Sequence, residues 1–400
     1  MTLALCAATG SADHECGYCK STSKSVGMWA YQMPASNYMS LIDYGWRRSG
    51  QYLYKPTQDT CCPQYSIRMT LDTFYPQKQI RRAINHFNFD NLISNQKQLI
   101  RKNGKVIRRP NIGNENLKRR VDMNSQFHIP QPCLDSQSHS NQKSIFHLEF
   151  ELFRCLPFLK IVIEPSAFDQ DTFDLYQKYQ QNVHKDKLEE LTKDKYSRFL
   201  VDHPFQFDEP FGVPDIGINN TKFNNKGFGF YHLKIYVHGE LKAVSFIDIL
   251  PNCVSSVYSI YANDSYEWGK ITACYEIYVA RQLSLQIANL KYFYLGFYID
   301  NCIKMKYKSI YKPCFLLDPV FLQFVPFDVA IPNLRKSKKY TKLMNGKASP
   351  PDYTSEATVG IILNNECYSL ERLKKSSKSY KDIVLALEKL PRMELIFVIG

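Results

Sequence analysis

Alternating apolar and polar positions predict where ordered structure begins in the middle of this chain. From Phe146 to Leu152 the two kinds of residue alternate with a period of two, which is typical of a strand with one buried face. Between Phe173 and Tyr179 the spacing becomes helical, with Phe173 and Tyr176 on one side. This part of the chain is therefore predicted to begin with a strand followed by a helix.

Two longer apolar runs predict a β-hairpin. Phe228–Tyr236 and Lys242–Leu250 are separated by His238-Gly239-Glu240. Glycine supplies the unusual backbone angles of a tight turn, so the two runs are expected to pair. Val257–Tyr261 predicts a further strand.

A long helix and a buried strand follow the hairpin. Trp268–Leu290 has the pattern of an amphipathic helix, because apolar residues recur at steps of four: Ile271, Tyr275, Val279, Leu283 and Ile287. Tyr292–Tyr298 is apolar and aromatic and predicts another strand. Strands combined with a long helix indicate a mixed α/β layer architecture.

Composition divides the chain into four segments: residues 1–75, 76–145, 146–325 and 326–400. The first is dense in Cys, Gly, Trp and Tyr and is predicted to be a small Cys-rich domain. The second is predicted to be a mobile basic linker, either solvated or in contact with RNA, because Lys97–Arg120 holds nine Lys or Arg and one acid. The third contains the predicted sheet. The fourth is a basic tail in which Tyr380–Leu390 predicts a terminal helix.

Charge and length restrict the class of protein. The 400 residues, 44% of them hydrophobic, suffice for two or three packed domains. The formal net charge of +13 favours a polyanionic partner, and RNA fits it better than a small acidic ligand does. A soluble basic protein without such a partner is the simpler interpretation. Since no secretory signal or membrane-spanning apolar stretch is found, we expect a cytoplasmic and also nuclear protein that does not bind membranes.

Four cysteines near the N-terminus suggest a metal site. Cys16 and Cys19 form a Cys-x-x-Cys, and Cys61 and Cys62 are adjacent. Four thiolates suit a tetrahedral zinc ion, whereas the adjacent pair suits a four-iron cluster equally well, because the irons of a cluster are spread in space. Two ordinary buried cysteine pairs are the alternative without metal. Disulfides are not expected among the twelve cysteines of a chain without a secretory signal.

Five stretches surround these cysteines: His14–Lys20, Gly27–Tyr31, Leu41–Gly50, Tyr54–Pro56 and Thr60–Tyr65. In this order and spacing they resemble the N-terminal domain of the eukaryotic arginyl-tRNA protein transferases. The resemblance implies that Cys16, Cys19, Cys61 and Cys62 hold an iron-sulfur cluster ([4Fe-4S]) or zinc. It includes Trp46, Arg47 and Arg48, which form either a basic-aromatic contact surface or a packed tryptophan beside two solvated arginines.

Further stretches resemble the C-terminal domain of the same family: Leu175–Gln180, Val183–Asp186, Arg198–Leu200, Ile247–Tyr258, Tyr294–Ile299, Lys304–Lys308 and Tyr311–Pro313. The resemblance covers roughly residues 14–75 and 146–325. It implies an acetyltransferase-like (GNAT-type) mixed sheet with flanking helices.

The activity implied by this resemblance is aminoacyl transfer. Such an enzyme moves arginine from arginyl-tRNA to the α-amino group of N-terminal Asp, Glu or oxidised Cys, which marks proteins for ubiquitin-dependent degradation in the N-degron pathway. Its partners are arginyl-tRNA, protein substrates and the ubiquitin-ligase machinery, and no nucleotide cofactor is expected. Two alternatives are transfer of a different amino acid and a catalytically silent tRNA-binding protein with a metal module.

The chemistry suggests two catalytic candidates. An α-amine must be neutral to attack the aminoacyl ester, so a base or a desolvating pocket assists the reaction. Asp248, at the end of a predicted apolar strand, can orient or deprotonate the amine, or it can be a structural carboxylate that bonds the turn before Pro251. His232, which matches a histidine of the family, can handle protons or hold substrate, or it can be a packed strand histidine.

Contacts with tRNA or substrate are predicted at Tyr179, Gln180, His184, Tyr298, Lys304, Lys306, Lys308 and Tyr311. The lysines of Lys304–Lys308 alternate with Met305 and Tyr307, so a strand would present all three ammonium groups on one face. With the neighbouring tyrosines, that face resembles a surface for single-stranded RNA. A solvated face above core tyrosines is the alternative.

The sequence also departs from the family. Phe230 stands where the family usually has Ser, Leu233 where it has Gln, and Tyr275 where it has Arg. The run after Tyr258 is shortened to Tyr261–Tyr266. These changes lower the polarity of the expected pocket, and they bear on substrate preference and activity.

Overall fold

A computed structural model of the chain describes residues 4–57, 60–103, 158–206, 221–336, 342–344, 359–363, 366–369 and 395–399. The strands in these ranges are β1 (Ala4–Glu15), β2 (Thr22–Gln32), β3 (Arg47–Ser49), β4 (Tyr52–Pro56), β5 (Tyr65–Thr70), β6 (Tyr75–Pro76), β7 (Leu159–Pro165), β8 (Thr221–Phe223), β9 (Gly229–Val237), β10 (Glu240–Ile249), β11 (Cys253–Tyr261), β12 (Tyr292–Tyr298), β13 (Tyr311–Lys312), β14 (Cys314–Leu317), β15 (Phe324–Pro326), β16 (Val359–Leu363), β17 (Glu366–Ser369) and β18 (Leu395–Ile399).

The α-helices in the same ranges are α1 (Ala35–Asp43), α2 (Lys78–Asn103), α3 (Gln170–Tyr179), α4 (Lys193–Leu200), α5 (Trp268–Ser284), α6 (Ile303–Lys306) and α7 (Phe327–Lys336). A π-helical turn, Gln180–His184, continues α3, and 3-10 turns lie at Leu188–Glu190 and Tyr307–Ile310. No helix in the described ranges has both the length and the apolar character needed to cross a membrane.

Two large sheets organise the fold. The first has the order β17-β16-β18-β1-β2-β4-β3, and the second has the order β15-β14-β5-β12-β11-β10-β9-β7-β8. A third sheet consists of β6 and β13. Apolar residues of α2 and α5 pack on one face of the second sheet, and those of α1 and α3 belong to the cluster on its other face. The structure is thus a mixed α/β fold in which the second sheet is covered on both sides.

Several elements predicted from periodicity are confirmed. β9 and β10 form an antiparallel hairpin, and His238 and Gly239 at its turn have φ angles of 52° and 86°. Two consecutive positive φ angles are typical of the tight turn whose twist matches the flanking strands. β12 has the predicted bounds, whereas β11 begins earlier, at Cys253, and α5 ends earlier, at Ser284. The helix predicted from Phe173 is α3, which Asp169 caps by accepting a hydrogen bond from the Thr172 amide.

The predicted linker is wrong in its first part. Residues 78–103 form α2, and Ile80, Ile84 and Phe87 are buried in the same cluster as the residues of α5. The basic composition of the segment hid an apolar stripe at steps of three and four. The rest of the predicted linker lies outside the described residues, as do the strand predicted at Phe146–Leu152 and the helix predicted at Tyr380–Leu390.

Segments from opposite ends of the chain meet in the first sheet. β1 pairs in parallel with β18, and β18 pairs in parallel with β16. Strands of the predicted tail therefore complete the sheet of the N-terminal region. β5, from the predicted N-terminal domain, pairs instead with β12 and β14 of the second sheet. The N-terminal region and the predicted catalytic region consequently share one sheet.

A polar contact also joins the two regions. The Arg68 guanidinium donates to Asp43 at 3.0 Å and to the Tyr294 hydroxyl at 2.9 Å. Its plane lies over the rings of Tyr292 and Phe324, at 3.8 and 3.6 Å from their centroids. Arginine combines stacking with directed hydrogen bonds, so Arg68 fixes α1 against β12.

Candidate active site and metal centre

The four cysteines of the predicted metal site come together. Their sulfur atoms all lie within 4.8 Å of one another, and the Sγ atoms of Cys19 and Cys61 are 3.4 Å apart. A tight turn aims the first pair: the Lys20 amide donates to the Cys16 carbonyl at 2.9 Å, and Lys20 has a φ of 65°. Cys16 is buried, and Cys19 and Cys61 are exposed. This arrangement can bind a metal.

The spacing of the sulfur atoms tests which group fits. One tetrahedral ion with Zn–S bonds of about 2.3 Å places its ligand sulfurs about 3.8 Å apart. The four sulfurs lie within 4.8 Å of one another, which is compatible with that separation. In a four-iron cluster each thiolate binds a different iron, so the sulfurs must lie further apart. The four closely spaced thiols can therefore hold a metal.

The metal site lies close to the second sheet. Tyr18 lies between Cys16 and Cys19 in the sequence. Burial raises its pKa most, and the neighbouring Tyr54 and Cys302 raise it further, so Cys302 lies close to this turn. Cys302 directly precedes α6 in the sequence, after the end of β12. The cysteine turn consequently lies near the segment that follows β12.

β11 and β12 separate after a short parallel contact. They pair only where Cys253–Ser255 faces Tyr292–Tyr294, although β11 continues to Tyr261 and β12 to Tyr298. We call the space between Ser256–Tyr261 and Leu295–Tyr298 the strand opening. Backbone amides of β11 that face it do not pair with β12. Such amides are suitable donors to a developing oxyanion.

One wall of the strand opening consists of residues predicted from the sequence. The Tyr258 hydroxyl lies 3.4 Å from the Gln180 Oε1 and 3.2 Å from the His184 Nε2. The Tyr179 ring packs edge-on against Tyr261, with 4.8 Å between centroids. Gln180 and His184 belong to the π-helical turn, a feature that is frequent at functional sites. The structure thus brings Tyr179, Gln180 and His184 together with two tyrosines that were not predicted as site residues.

The predicted strand with three aligned lysines is wrong. Residues 303–310 form α6 and a 3-10 turn, so the lysines point in different directions. Lys304 is exposed. Burial of His184 lowers the pKa of that histidine, and the charge of Lys304 lowers it further. Lys306 is exposed and lies 3.9 Å from Asp300. Alternation over five residues is too short to distinguish a strand from a helical turn.

Lys308 points inward at the strand opening. Its ammonium group donates to the Phe297 carbonyl at 2.9 Å. Burial removes water from this ammonium group, and the positive charge of Arg47 lies nearby. Together, with burial as the larger cause, they lower the pKa of Lys308 to about 7. The Arg47 guanidinium approaches the Gly296 carbonyl at 3.4 Å and lies over the rings of Tyr294 and Phe297. Two basic side chains thus lie beside β12 where it leaves β11.

The two tyrosines predicted beside the lysines are buried. Tyr298 donates to Asp300 at 2.6 Å and packs edge-on against Phe327. Tyr311 is fully buried and stacks on Phe74. Neither ring is exposed for stacking on a base, so the predicted RNA surface is not formed by these residues. The structure agrees here with the alternative of core tyrosines.

Asp248 forms a buried ion pair that joins the two regions of the chain. Its carboxylate accepts from the Arg48 Nε at 3.1 Å and from the Arg48 Nη2 at 2.5 Å, and both side chains are fully buried. Burial raises the pKa of Asp248, and the charge of Arg48 opposes this shift. Phe230 lies under the same guanidinium, 4.0 Å from its ring centroid. The contacts of Asp248 therefore favour a structural role, through Arg48 rather than through the turn before Pro251.

These arginines correct a second expectation. The sequence predicts that Arg47 and Arg48 form either a contact surface or a solvated pair. Both alternatives are wrong, because only 6% and 4% of their surfaces are exposed. Trp46 is packed, as the second of those interpretations required. The family departure at Phe230 supplies an aromatic face for Arg48, and Leu233 and Tyr275 lie in the apolar core.

His232 is a packed strand histidine. It is 1% exposed, and its Nε2 lies 2.8 Å from the Leu200 carbonyl, so it donates there as the neutral ring. Burial lowers the pKa of His232 to about 4. Its ring packs against Phe230 and Phe246. These contacts link α4 to β9 and lie apart from the strand opening.

Glu276 is a buried carboxylate that the sequence did not reveal as a site residue. It lies on α5 with 1% of its surface exposed. Burial raises the pKa of Glu276 to about 7, and the nearby hydroxyl groups of Ser245 and Ser256 partly oppose the shift. Buried groups with perturbed pKa values cluster at functional sites. The sequence signal for it is a single acidic residue within a helix that is buried on nearly every side.

Comparison with known proteins identifies both halves of the chain. Residues 14–82 match the family model for the arginine-tRNA-protein transferase N terminus, and residues 171–318 match the model for its C terminus. Together the two matches cover more than half of the chain. The chain belongs to the arginine-tRNA-protein transferase family.

Relatives similar in sequence occur in a plant, an insect and a bacterium. Arginyl-tRNA–protein transferase 2 of Arabidopsis thaliana is 28% identical over 87% of this chain and 79% of its own length. Arginyl-tRNA–protein transferase 1 of Drosophila melanogaster is 28% identical over 87% of each chain. An aspartate/glutamate leucyltransferase of Pseudomonas fluorescens is 33% identical over 38% of this chain and 54% of its own length.

Proposed function

We propose that this protein transfers arginine from arginyl-tRNA to the α-amino group at the N-terminus of other proteins. The observation that carries the proposal is that both family regions meet in one structure around the strand opening. Relatives named arginyl-tRNA–protein transferase align over most of the chain. In the reaction, the neutral acceptor amine attacks the ester carbonyl and an amide bond forms. The ester bond to the tRNA breaks, and the proton passes to the released tRNA oxygen.

We propose that the acceptor begins with Asp, Glu or oxidised Cys, and that its modification marks it for ubiquitin-dependent degradation. Arg47 and Lys308 support an anionic acceptor, since both cations lie beside the strand opening without a carboxylate bonded to either in the described residues. The name of the bacterial relative includes aspartate and glutamate. An acidic side chain would be held by these cations while its α-amine faces the ester.

The cysteine cluster is proposed to hold one tetrahedral Zn²⁺, which would fix the cysteine turn close to Cys302 and the start of α6.

We further propose that the second sheet is acetyltransferase-like, with the strand opening as its substrate cleft. The partial separation of β11 from β12 supports this assignment. A cytoplasmic or nuclear location is consistent with such a role.

Leucine transfer is the second candidate function. It is favoured by the resemblance of part of the chain to a protein named as a leucyltransferase. That relative covers a smaller share of this chain than the arginyl transferases do. Supplying arginyl-tRNA and leucyl-tRNA in parallel distinguishes the two activities.

Acceptor choice is the test of the proposed function. Peptides that differ only in their first residue are given to the protein together with labelled arginyl-tRNA. We expect transfer to peptides that begin with Asp, Glu or cysteine sulfinic acid, and at least about tenfold less transfer to those that begin with Asn or Gln, because the neutral amides lack the charge that Arg47 and Lys308 attract. Equal transfer to Asp and Asn peptides would refute the acidic acceptor.

Binding of tRNA should depend on salt and on Lys304. The affinity should fall steeply as salt rises, because each lysine that neutralises a phosphate releases counterions. Lys304→Ala should reduce the slope of log K against log salt by roughly 0.7 to 1. Fluorescence anisotropy with labelled tRNA measures this slope. Lys222 is an exposed lysine on β8, and Lys222→Ala is the control that should leave the slope unchanged. If the wild type and Lys304→Ala gave identical slopes, Lys304 would not contact the tRNA.

A further inference from the structure

Glu276 stands out because no positively charged side chain of the described residues pairs with it. Within the part of the chain that the structure describes, its Oε2 has no hydrogen-bond partner, and no Lys or Arg forms a salt bridge with it. The hydroxyl groups of Ser245 and Ser256 lie near the carboxyl group and partly oppose the rise of its pKa. Burying an unpaired carboxylate costs stability. A side chain retained at that cost suggests a ligand of opposite charge.

Tyrosine side chains lie around Glu276. The Tyr307 side chain is partly exposed. The partial burial of its hydroxyl raises its pKa, and the neighbouring Glu276 and Tyr261 raise it further, so Tyr307 lies near both groups. Tyr261 packs against Tyr179 at the wall of the strand opening. Tyr311 and Cys274 also lie near the carboxylate, and neither brings a positive charge. Tyrosine side chains thus lie between the wall of the strand opening and the buried carboxyl group of Glu276.

We propose that Glu276 binds the guanidinium of the arginyl group on the charged tRNA and so selects the amino acid that is transferred. The inference rests on the proposed function and specifies its donor. A guanidinium is planar and presents paired N–H donors that match a carboxylate, and its aliphatic stem can lie along tyrosine rings. Tyrosine faces also attract the cation.

Other cations and anions in the reaction fit Glu276 less well. The tRNA backbone is anionic and is repelled by a carboxylate. The acceptor amine must be neutral when it reacts, and the proposed acidic side chain beside it would also be repelled. The arginyl side chain is the remaining cation, and its length suits a group that lies below the surface. A neutral amino acid in the same place would leave the carboxylate unpaired.

Citrulline provides the sharpest test, because it has nearly the shape of arginine without the charge. One tRNA is charged either with arginine or, by a chemical charging method, with citrulline, and single-turnover transfer to an Asp peptide is measured. The wild type should prefer arginine on the order of 10³-fold or more, since sites built to bond a charged group reject analogues without it. In Glu276→Gln the preference should fall to within about tenfold, mainly through slower arginine transfer.

Two further variants complete the experiment. Glu240→Gln changes an exposed glutamate on the hairpin and should keep the wild-type preference. If Glu276→Gln does not fold, Glu276→Asp keeps the charge at a shorter reach and should weaken arginine transfer while still favouring arginine over citrulline. Circular dichroism and tRNA binding establish that each variant is folded.

Each outcome has a distinct meaning. If the wild type transfers no amino acid from charged tRNA, the proposed function fails, and the inference fails with it. If the wild type transfers arginine and Glu276→Gln keeps the full preference, the inference alone is overturned. A folded, tRNA-binding Glu276→Gln that transfers neither amino acid would also overturn it, because Glu276 would then act in the chemistry and not in selection.

Discussion

Asp248→Asn is expected to lower the free energy of unfolding by about 3–5 kcal/mol, because it leaves Arg48 buried without a counter-charge. The two side chains share a bidentate contact and are completely buried, so the solvent cannot replace the lost carboxylate. The pair also joins β3 of the first sheet to β10 of the second. Denaturant unfolding of the wild type and the variant measures the difference.

The double variant separates the charge from the packing. Arg48→Met with Asp248→Leu removes both charges and should recover much of the lost stability, as replacement of buried ion pairs by apolar residues often does. Glu240→Gln removes one partner of an exposed pair with Lys242 and should leave the unfolding midpoint unchanged. Should Asp248→Asn keep wild-type stability but lose arginine transfer, Asp248 would be catalytic, and its structural assignment would be wrong.

Substituting the cysteine cluster is expected to release the metal and to disrupt the N-terminal region. Cys16→Ser removes the buried member of a set whose four sulfurs lie within 4.8 Å of one another. Because the binding energy of a structural metal contributes directly to folding, its loss should loosen β1, β2 and the cysteine turn. Metal analysis of the purified chain, together with limited proteolysis, measures both effects.

The same preparation identifies the metal. About one zinc per chain, with no visible absorption, is expected for a single tetrahedral ion. Iron with acid-labile sulfide would instead establish a cluster and contradict the proposed Zn²⁺ ion. Cys302→Ser, a cysteine outside the cluster but close to Tyr18, is the control and should retain the metal. Full metal content after substitution of all four cluster cysteines would exclude this site.

Local periodicity was sufficient to predict the hairpin, β12 and the existence of α5. In each of these elements the apolar residues repeat at the period of the structure they form, and the neighbouring residues agree with it. The stretch Lys304–Lys308 shows the limit of the method. Its alternation has a strand period, yet the chain has already turned at Asp300 and forms a helical segment.

Long-range contacts could not be predicted in this way. Arg48 and Asp248 are 200 residues apart in sequence, and only the meeting of two sheets places them together. The pairing of β1 with β18 likewise joins segments that are far apart in the sequence. Glu276 lies within an apolar helix whose periodicity says where the helix is, but not that its one carboxylate faces Ser245 and Ser256. The cysteines were recognisable because short spacing and chemistry sufficed for them.

The central claim is that this chain moves arginine from tRNA to a protein N-terminus, and one measurement tests it directly. The full chain is incubated with purified tRNA charged with labelled arginine and with a peptide that begins with Asp, and the product is analysed by mass spectrometry. We predict one added arginine residue at the α-amine, with no product when the peptide is N-acetylated or when free arginine replaces the charged tRNA. Intact charged tRNA and unmodified peptide after incubation with metal-loaded, tRNA-binding protein would contradict the claim.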